Sequence, residues 1–366
     1  MKLKKKFDFC KIIDEQEVLP LKKKVNKKGK INCSSNEMIH PYLSKLNDMV
    51  IDKIDLGKEN SYIYYPEKIK LFSELLGIDE DRIQLYAGSD DAIKYVLLSF
   101  HNKCSTLIIQ DPNYENYYSY ASLNGYKVIR WKMNSENLSF DLDDGINILN
   151  ANENNSIVVI TSPNGFTGKL TDYSTIYRIA QECYEKNDIL VIDQAYLPFA
   201  EDLNYREIAN EFENVILIST LSKGHGLAGA RFAYINTSPI LSKCLARWNG
   251  INAISAFSYD ISEQYIRSNT MNTVIKDIVD VRNRFIDFIT NDTPWETYIS
   301  DANFVLIKLE NAMQARDLSN YLFENDIIVR RLDGIDLDSY IRITCIFEME
   351  IVIKAIKKYL RNHSSL

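Results

Sequence analysis

The chain has 366 residues, 46% of them hydrophobic and 25% charged, with 50 acidic against 43 basic side chains. That composition fits a globular protein with one large or two medium cores. A net charge of −7 gives no electrostatic reason to expect nucleic acid as the main partner, and no run approaches the ~18 apolar residues of a membrane span.

At the start, "MKLKKKFDFCKIIDEQ" has positive charges but no long apolar stretch behind them, so it does not read as a signal peptide. The lysine-rich run "LKKKVNKKGK" at 21–30 has no interleaved aromatics and reads as a solvated arm. Six cysteines (Cys10, Cys33, Cys104, Cys183, Cys244, Cys345) form no C-x-x-C pair and read as reduced thiols of a cytoplasmic protein. His40, His101, His225 and His363 lie far apart without metal-ligand spacing, which argues against a zinc hydrolase.

Further along, "AGSDDAIKYVLLSF" opens a helix at Gly88, Ser89 and Asp90, where free N–H groups suit a phosphate or a plain N-cap. "STLIIQD" (105–111) predicts a buried strand, 113–125 a helix that ends on Gly125, and 126–132 a strand. Apolar runs at 155–161, 188–194, 214–220 and 231–235 predict four more strands, with a helix over 171–187 between the first two. This alternation predicts an α/β domain with a mostly parallel sheet. After about residue 255 a long helical stretch leads into "NFVLIKLE", a helix near 313–324, "DIIVRR", "SYIRITCI" and a terminal helix near 348–361. We read an N-terminal arm (1–50), a large domain (51–255) and a smaller α+β domain (256–366). Ligands of such sheets sit beyond the carboxyl ends of the strands.

The run "ISTLSKGHGLAGARFAYI" at 218–235 poses the functional question. GHGLAG fits the glycine pattern of a dinucleotide loop. Its context fails: a strand-like run follows instead of a helix, and no acid lies about 20 positions on. The alternative is a mobile turn that presents Lys223. A lysine that reacts with a carbonyl must be partly neutral, in a desolvated or cationic setting. Asp193, at the end of "DILVID", could keep a pyridine nitrogen protonated or simply cap a turn. Tyr114, just after a strand, could stack on a flat ring.

Together "AGSDDA", "DPNY", "TSPNGFTG", "VIDQAY", "STLSKGHGLAGAR" and "IRIT" resemble the fold-type I pyridoxal-phosphate enzymes of the aspartate aminotransferase superfamily, nearest the histidinol-phosphate aminotransferase branch. The resemblance covers about residues 30–360. It implies a PLP-dependent transferase-like large domain with a mostly parallel mixed sheet and a smaller α+β domain. Lys223 would carry pyridoxal 5'-phosphate and move a proton. Asp193 would pair with the pyridinium nitrogen, Tyr196 with the phenolic oxygen, and Tyr114 would stack. Gly88, Ser89, Asp90, Thr220, Ser222 and Arg231 would hold the phosphate. Tyr65, in "SYIYYPE", would reach the neighbouring subunit's site and so implies a homodimer. Arg342 would bind a substrate anion, with Arg330 beside it gripping a phosphate monoester.

The implied function is amino transfer between L-glutamate and a small, phosphorylated keto substrate. Decarboxylation of a phosphorylated amino acid, such as serine or threonine phosphate, is the alternative. The match departs at Gly165 and Phe166, which stand where Asn-Pro is usual, so Asn164 is the candidate replacement. It departs again at Gln194, where glutamate is usual, and in "SSNEMIHPY", the altered counterpart of a substrate segment.

Overall fold

The computed structural model describes residues 28–54, 57, 60–200, 204–250, 252–268, 270–334 and 337–363. The readings made on the first sixteen residues and on 21–27 of the lysine-rich run, and on Cys10, lie outside these. Lys30, at the end of that run, is tied down: its Nζ donates to Asp326 at 2.7 Å and lies over the Phe323 ring.

Among the described residues, twelve strands form two sheets. In chain order they are β1 (Ile31–Cys33), β2 (Ile83–Tyr86), β3 (Thr106–Asp111), β4 (Lys127–Lys132), β5 (Ser156–Thr161), β6 (Ile189–Asp193), β7 (Val215–Thr220), β8 (Ala233–Thr237), β9 (Glu296–Thr297), β10 (Phe304–Lys308), β11 (Ile327–Leu332) and β12 (Leu337–Thr344). The large sheet has the order β2-β8-β7-β6-β5-β3-β4. β8 runs antiparallel to both of its neighbours, while the pairs from β7 to β4 are parallel. The small sheet, β1-β11-β12-β10-β9, is antiparallel except where β1 joins β11. This is the mixed, parallel-rich α/β architecture with a second α+β unit that the sequence predicts.

The central strands are apolar without alternation because both faces are covered, as parallel sheets require. Ile109, Val159 and Val191 pack on one face with Ile93, Val96 and Leu97 of the helix Ser89–Phe100. Ile108, Val158 and Ile192 pack on the other with Ile176 and Ile179 of the helix Tyr173–Lys186. Burying each such side chain contributes about 1.5–3 kcal/mol. A third cluster joins the units: Leu85 of β2 and Phe232, just before β8, pack into the same core as Phe304, Ile341 and Ile343 of the small sheet.

Several elements carried weaker signals. Strand β2 is four residues long, and the helices Pro41–Ile51, Tyr65–Leu76 and Leu142–Ala151 lie where no long run of apolar period stood out. Strand β1 comes from the N-terminal segment, so that segment belongs to the small sheet by hydrogen bonding.

Candidate active site

The strand ends converge on one cavity of roughly 530 Å³. β3 delivers Tyr114, β6 delivers Asp193 and Tyr196, and β7 delivers Thr220, Ser222 and Lys223. The helix start after β2 brings Ser89 and Asp90, and the small sheet brings Arg330 and Arg342. Arg231 closes the set. Residues from distant parts of the sequence thus meet beyond the carboxyl ends of the parallel strands, where such folds bind ligands.

Asp193 is 4% exposed. Its Oδ1 accepts from the Ala195 N–H and its Oδ2 from the Tyr117 hydroxyl, both at 3.1 Å. Burial still outweighs these donors and pushes its pKa up to about 6. A buried carboxyl poised this way is suited to a cationic partner. Tyr117 was not anticipated. It lies one helical turn beyond Tyr114, and among 23 tyrosines nothing marked it.

The same cavity holds a cradle around Ser89, Asp90 and Arg231. Gly88 has φ +89° and ψ 165°, and a Cβ added there would meet Arg231 Nη2 at 2.4 Å. Arg231 itself takes a left-handed backbone, φ +54°, and its Nη2 lies 3.3 Å from Asp90 Oδ2. The Ser222 N–H donates to Thr220 Oγ1 at 3.2 Å, and the two hydroxyl oxygens are 3.0 Å apart. A glycine that leaves room for a guanidinium, a helix N-terminus and two hydroxyls form a donor-rich pocket of the kind that holds a phosphate.

Lys223 is half-buried and lines the same cavity. Its Nζ donates to Ser35 O at 3.0 Å and lies 5.8 Å from the Tyr196 ring centre. Tyr114 is 45% exposed and lines the cavity wall. Arg342 is half-buried, and its Nη1 and Nη2 donate to the carbonyls of Gly165 and Ser34, while Nε has no partner among the described residues. Burial, the lesser field of Arg330 adding to it, pulls its pKa down to about 10. Arg330 is half-exposed at the mouth, 4.0 Å from Glu115. Arg331 instead pairs with Asp333 at 2.5 Å.

Gly88, Asn164 and Tyr65 do not themselves line the cavity, Gly88 lying against Arg231. The Asn164 side chain is engaged elsewhere: Nδ2 donates to Pro112 O at 3.2 Å, and Oδ1 accepts from the N–H groups of Phe166 and Thr167. It therefore does not stand in for the asparagine that Gly165 lacks. Tyr65 turns into its own subunit, where its hydroxyl takes a hydrogen bond from Asn249 at 3.1 Å and lies 3.4 Å from Gln84 Oε1.

A lysine, a buried acid and a donor-rich cradle in one cavity define an enzyme that works through a phosphorylated carbonyl cofactor. The family model for aminotransferase class I and II matches residues 28–356, and the chain belongs to that family. It is a pyridoxal-phosphate-dependent aminotransferase. It is 28% identical over 326 residues to the histidinol-phosphate aminotransferase of Clostridium kluyveri, covering 87% of this chain and 90% of that one. It is 25% identical over 340 residues to that of Pyrococcus furiosus, covering 90% and 93%. The fold matches the crystal structure of the histidinol-phosphate aminotransferase from Clostridium acetobutylicum with a TM-score of 0.80 at 21% identity, over 91% of this chain and 99% of that one. It matches L-threonine-O-3-phosphate decarboxylase from Porphyromonas gingivalis with a TM-score of 0.76 at 18% identity, over 90% and 99%.

Proposed function

We propose that this aminotransferase exchanges an amino group between L-glutamate and a small substrate that carries a phosphate ester, of the histidinol-phosphate kind. One observation carries the substrate class. Arg330 and Arg342 are direct partners across β11 and β12 and line the same cavity. Like charges opposite each other destabilise a sheet. A dianion that bridges both guanidinium groups turns that cost into binding, and suits a phosphate better than a carboxylate. The names of the curated relatives support the same class.

In this reading bound pyridoxal phosphate supplies the electron sink for the substrate carbon. Lys223 would hold it covalently and move the proton at that carbon. Asp193 would pair with the pyridine nitrogen, Tyr196 would donate to the phenolic oxygen, and Tyr114 would stack on the ring. Gly88, Ser89, Asp90, Thr220, Ser222 and Arg231 would hold the phosphate. We take residues 51–255 as the cofactor-binding domain and 256–366 as the small domain, with the N-terminal arm allied to the latter through β1. We also take the enzyme to be a cytoplasmic homodimer, a reading that rests on its scattered cysteines, none of them paired among the described residues, and on the resemblance of "SYIYYPE" to a segment that reaches a neighbouring subunit. For Tyr65 to reach the partner's site, its hydroxyl must leave Asn249. Decarboxylation of a phosphorylated amino acid is the second reading, supported by the likeness in fold to a phosphothreonine decarboxylase.

The test is kinetic. Arg330→Ala should lower kcat/KM about 10–100-fold for a phosphorylated substrate, the worth of one charged hydrogen-bonding group, and leave its dephosphorylated counterpart unchanged. Equal losses for both would remove Arg330 from phosphate recognition. Release of carbon dioxide without a requirement for glutamate would favour the decarboxylase.

A further inference from the structure

What Tyr196 can do depends on where its hydroxyl hydrogen points, and that direction is set from outside the large sheet. The chain of hydrogen bonds starts at Thr344, two residues beyond Arg342 on β12. Thr344 Oγ1 accepts from the backbone N–H of Asn36 at 3.0 Å. A backbone amide only donates, so this bond has one sense. The threonine hydrogen then goes to the acceptor in reach, Asn36 Oδ1 at 2.9 Å. With its oxygen fixed towards Thr344, the Asn36 carboxamide turns its nitrogen towards Tyr196, and Nδ2 lies 2.9 Å from Oη. An amide nitrogen also only donates. Tyr196 Oη is therefore the acceptor, and its own hydrogen is left for the cavity.

The arrangement is rigid and specific. Asn36 is 1% exposed. It adopts a left-handed backbone, φ +53°, a conformation asparagine tolerates better than most residues. Its carbonyl accepts from Asn303 Nδ2 at 3.2 Å. The neighbouring carbonyls of the same short strap reach two other site residues, Ser35 O to Lys223 and Ser34 O to Arg342.

We propose that Asn36 and Thr344 are positioning residues that hold Tyr196 as an obligate hydrogen-bond donor into the cofactor cavity. The proposal rests on the reading of Tyr196 as the partner of the phenolic oxygen. It gains weight from two facts about the turn beside the tyrosine ring: Gly165 has no side chain, its ideal Cβ lying 3.4 Å from Tyr196 Cε2, and Asn164 is held by Pro112 O and by its own turn. The network also joins the two units of the fold. The threonine that sets the donor shares a strand with the arginine that meets the substrate. The charged groups that face Tyr196 are Lys223 and Arg342; Phe304 packs against its ring edge-on, with the centres 5.5 Å apart, and carries no charge.

The experiment is a pH titration of the visible chromophore after loading with pyridoxal phosphate. Donation to the phenolic oxygen stabilises its anion and weakens the chromophore's hold on its proton, so losing the donor raises the midpoint. Tyr196→Phe should raise it by about one pH unit. In Asn36→Asp the carboxylate can only accept, and it draws the tyrosine hydrogen away from the cavity. The new charge would raise the midpoint on its own, so the cycle with Tyr196→Phe separates the two effects. N36D should shift the midpoint by about one pH unit more in the wild-type background than in Y196F. Thr344→Val should shift it in the same direction, and Thr344→Ser should titrate as wild type. Equal N36D shifts in both backgrounds, together with an unshifted T344V, would overturn the proposal. An unshifted Y196F would instead overturn the role given to Tyr196. If N36D does not fold, T344V against T344S decides alone, with thermal melts of the cofactor-free proteins as the check on folding.

Discussion

Gly88→Ala tests the phosphate cradle with little ambiguity. Gly88 combines φ +89° with ψ 165°, a region essentially reserved for glycine, and forcing another residue into it costs about 1–3 kcal/mol. The added methyl would also meet Arg231 Nη2 at 2.4 Å and Cζ at 2.8 Å. These atoms end a flexible side chain, so the guanidinium swings away and the fold survives. The consequence falls on the ligand. A charge-assisted hydrogen bond is worth about 1.5–3 kcal/mol, so pyridoxal phosphate should bind roughly 10–150-fold more weakly. The assay is a titration of the visible chromophore beside a thermal melt of the cofactor-free protein. Gly125→Ala is the control, since Gly125 has φ +73° but nothing within 4 Å of its ideal Cβ. It should lose stability to backbone strain and keep its cofactor affinity. Unchanged affinity in Gly88→Ala, or an equal loss in Gly125→Ala, would refute the reasoning.

Asp193→Asn should stabilise the cofactor-free protein at pH 8 and change it little near pH 4. Folding raises this carboxyl from 3.8 to about 6, so its contribution is fully present below pH 3.8 and is lost as pH rises through about 6. The penalty removed at pH 8 is at most about 3 kcal/mol, and denaturant melts at the two pH values read it directly. Arg342→Ala should raise the substrate KM about tenfold or more and leave the lysine chromophore in place. Loss of the chromophore itself would contradict its assignment to substrate.

Much of this was legible in the sequence because the parallel sheet writes itself in apolar runs. The strands ending at Asp111, Thr161, Asp193 and Thr220 lie within a residue or so of their predicted limits. The residues just after them line the cavity, since the end of a parallel strand fixes where its next side chain goes. Long-range contacts were not legible. Tyr117 looked like any tyrosine of its helix until its hydroxyl met Asp193. Asn36 stood in the segment marked as an altered substrate stretch, yet its bond to Tyr196 spans 160 positions. Asn164 stands beside the missing asparagine in sequence, but its Oδ1 caps its own turn and its Nδ2 is held by Pro112 O, a contact 52 positions away. Tyr65 was placed by motif alone, and its ring turns inward to Asn249.

The central claim, that Lys223 and the cavity around it run an amino-transfer half-reaction, has one direct measurement: the visible spectrum of the protein loaded with pyridoxal phosphate, before and after excess L-glutamate. The account predicts a yellow band that bleaches to the amine form with glutamate, and no such band in Lys223→Ala. A protein that forms no yellow band would contradict the cofactor assignment. A band that persists in glutamate would contradict glutamate as the amino donor.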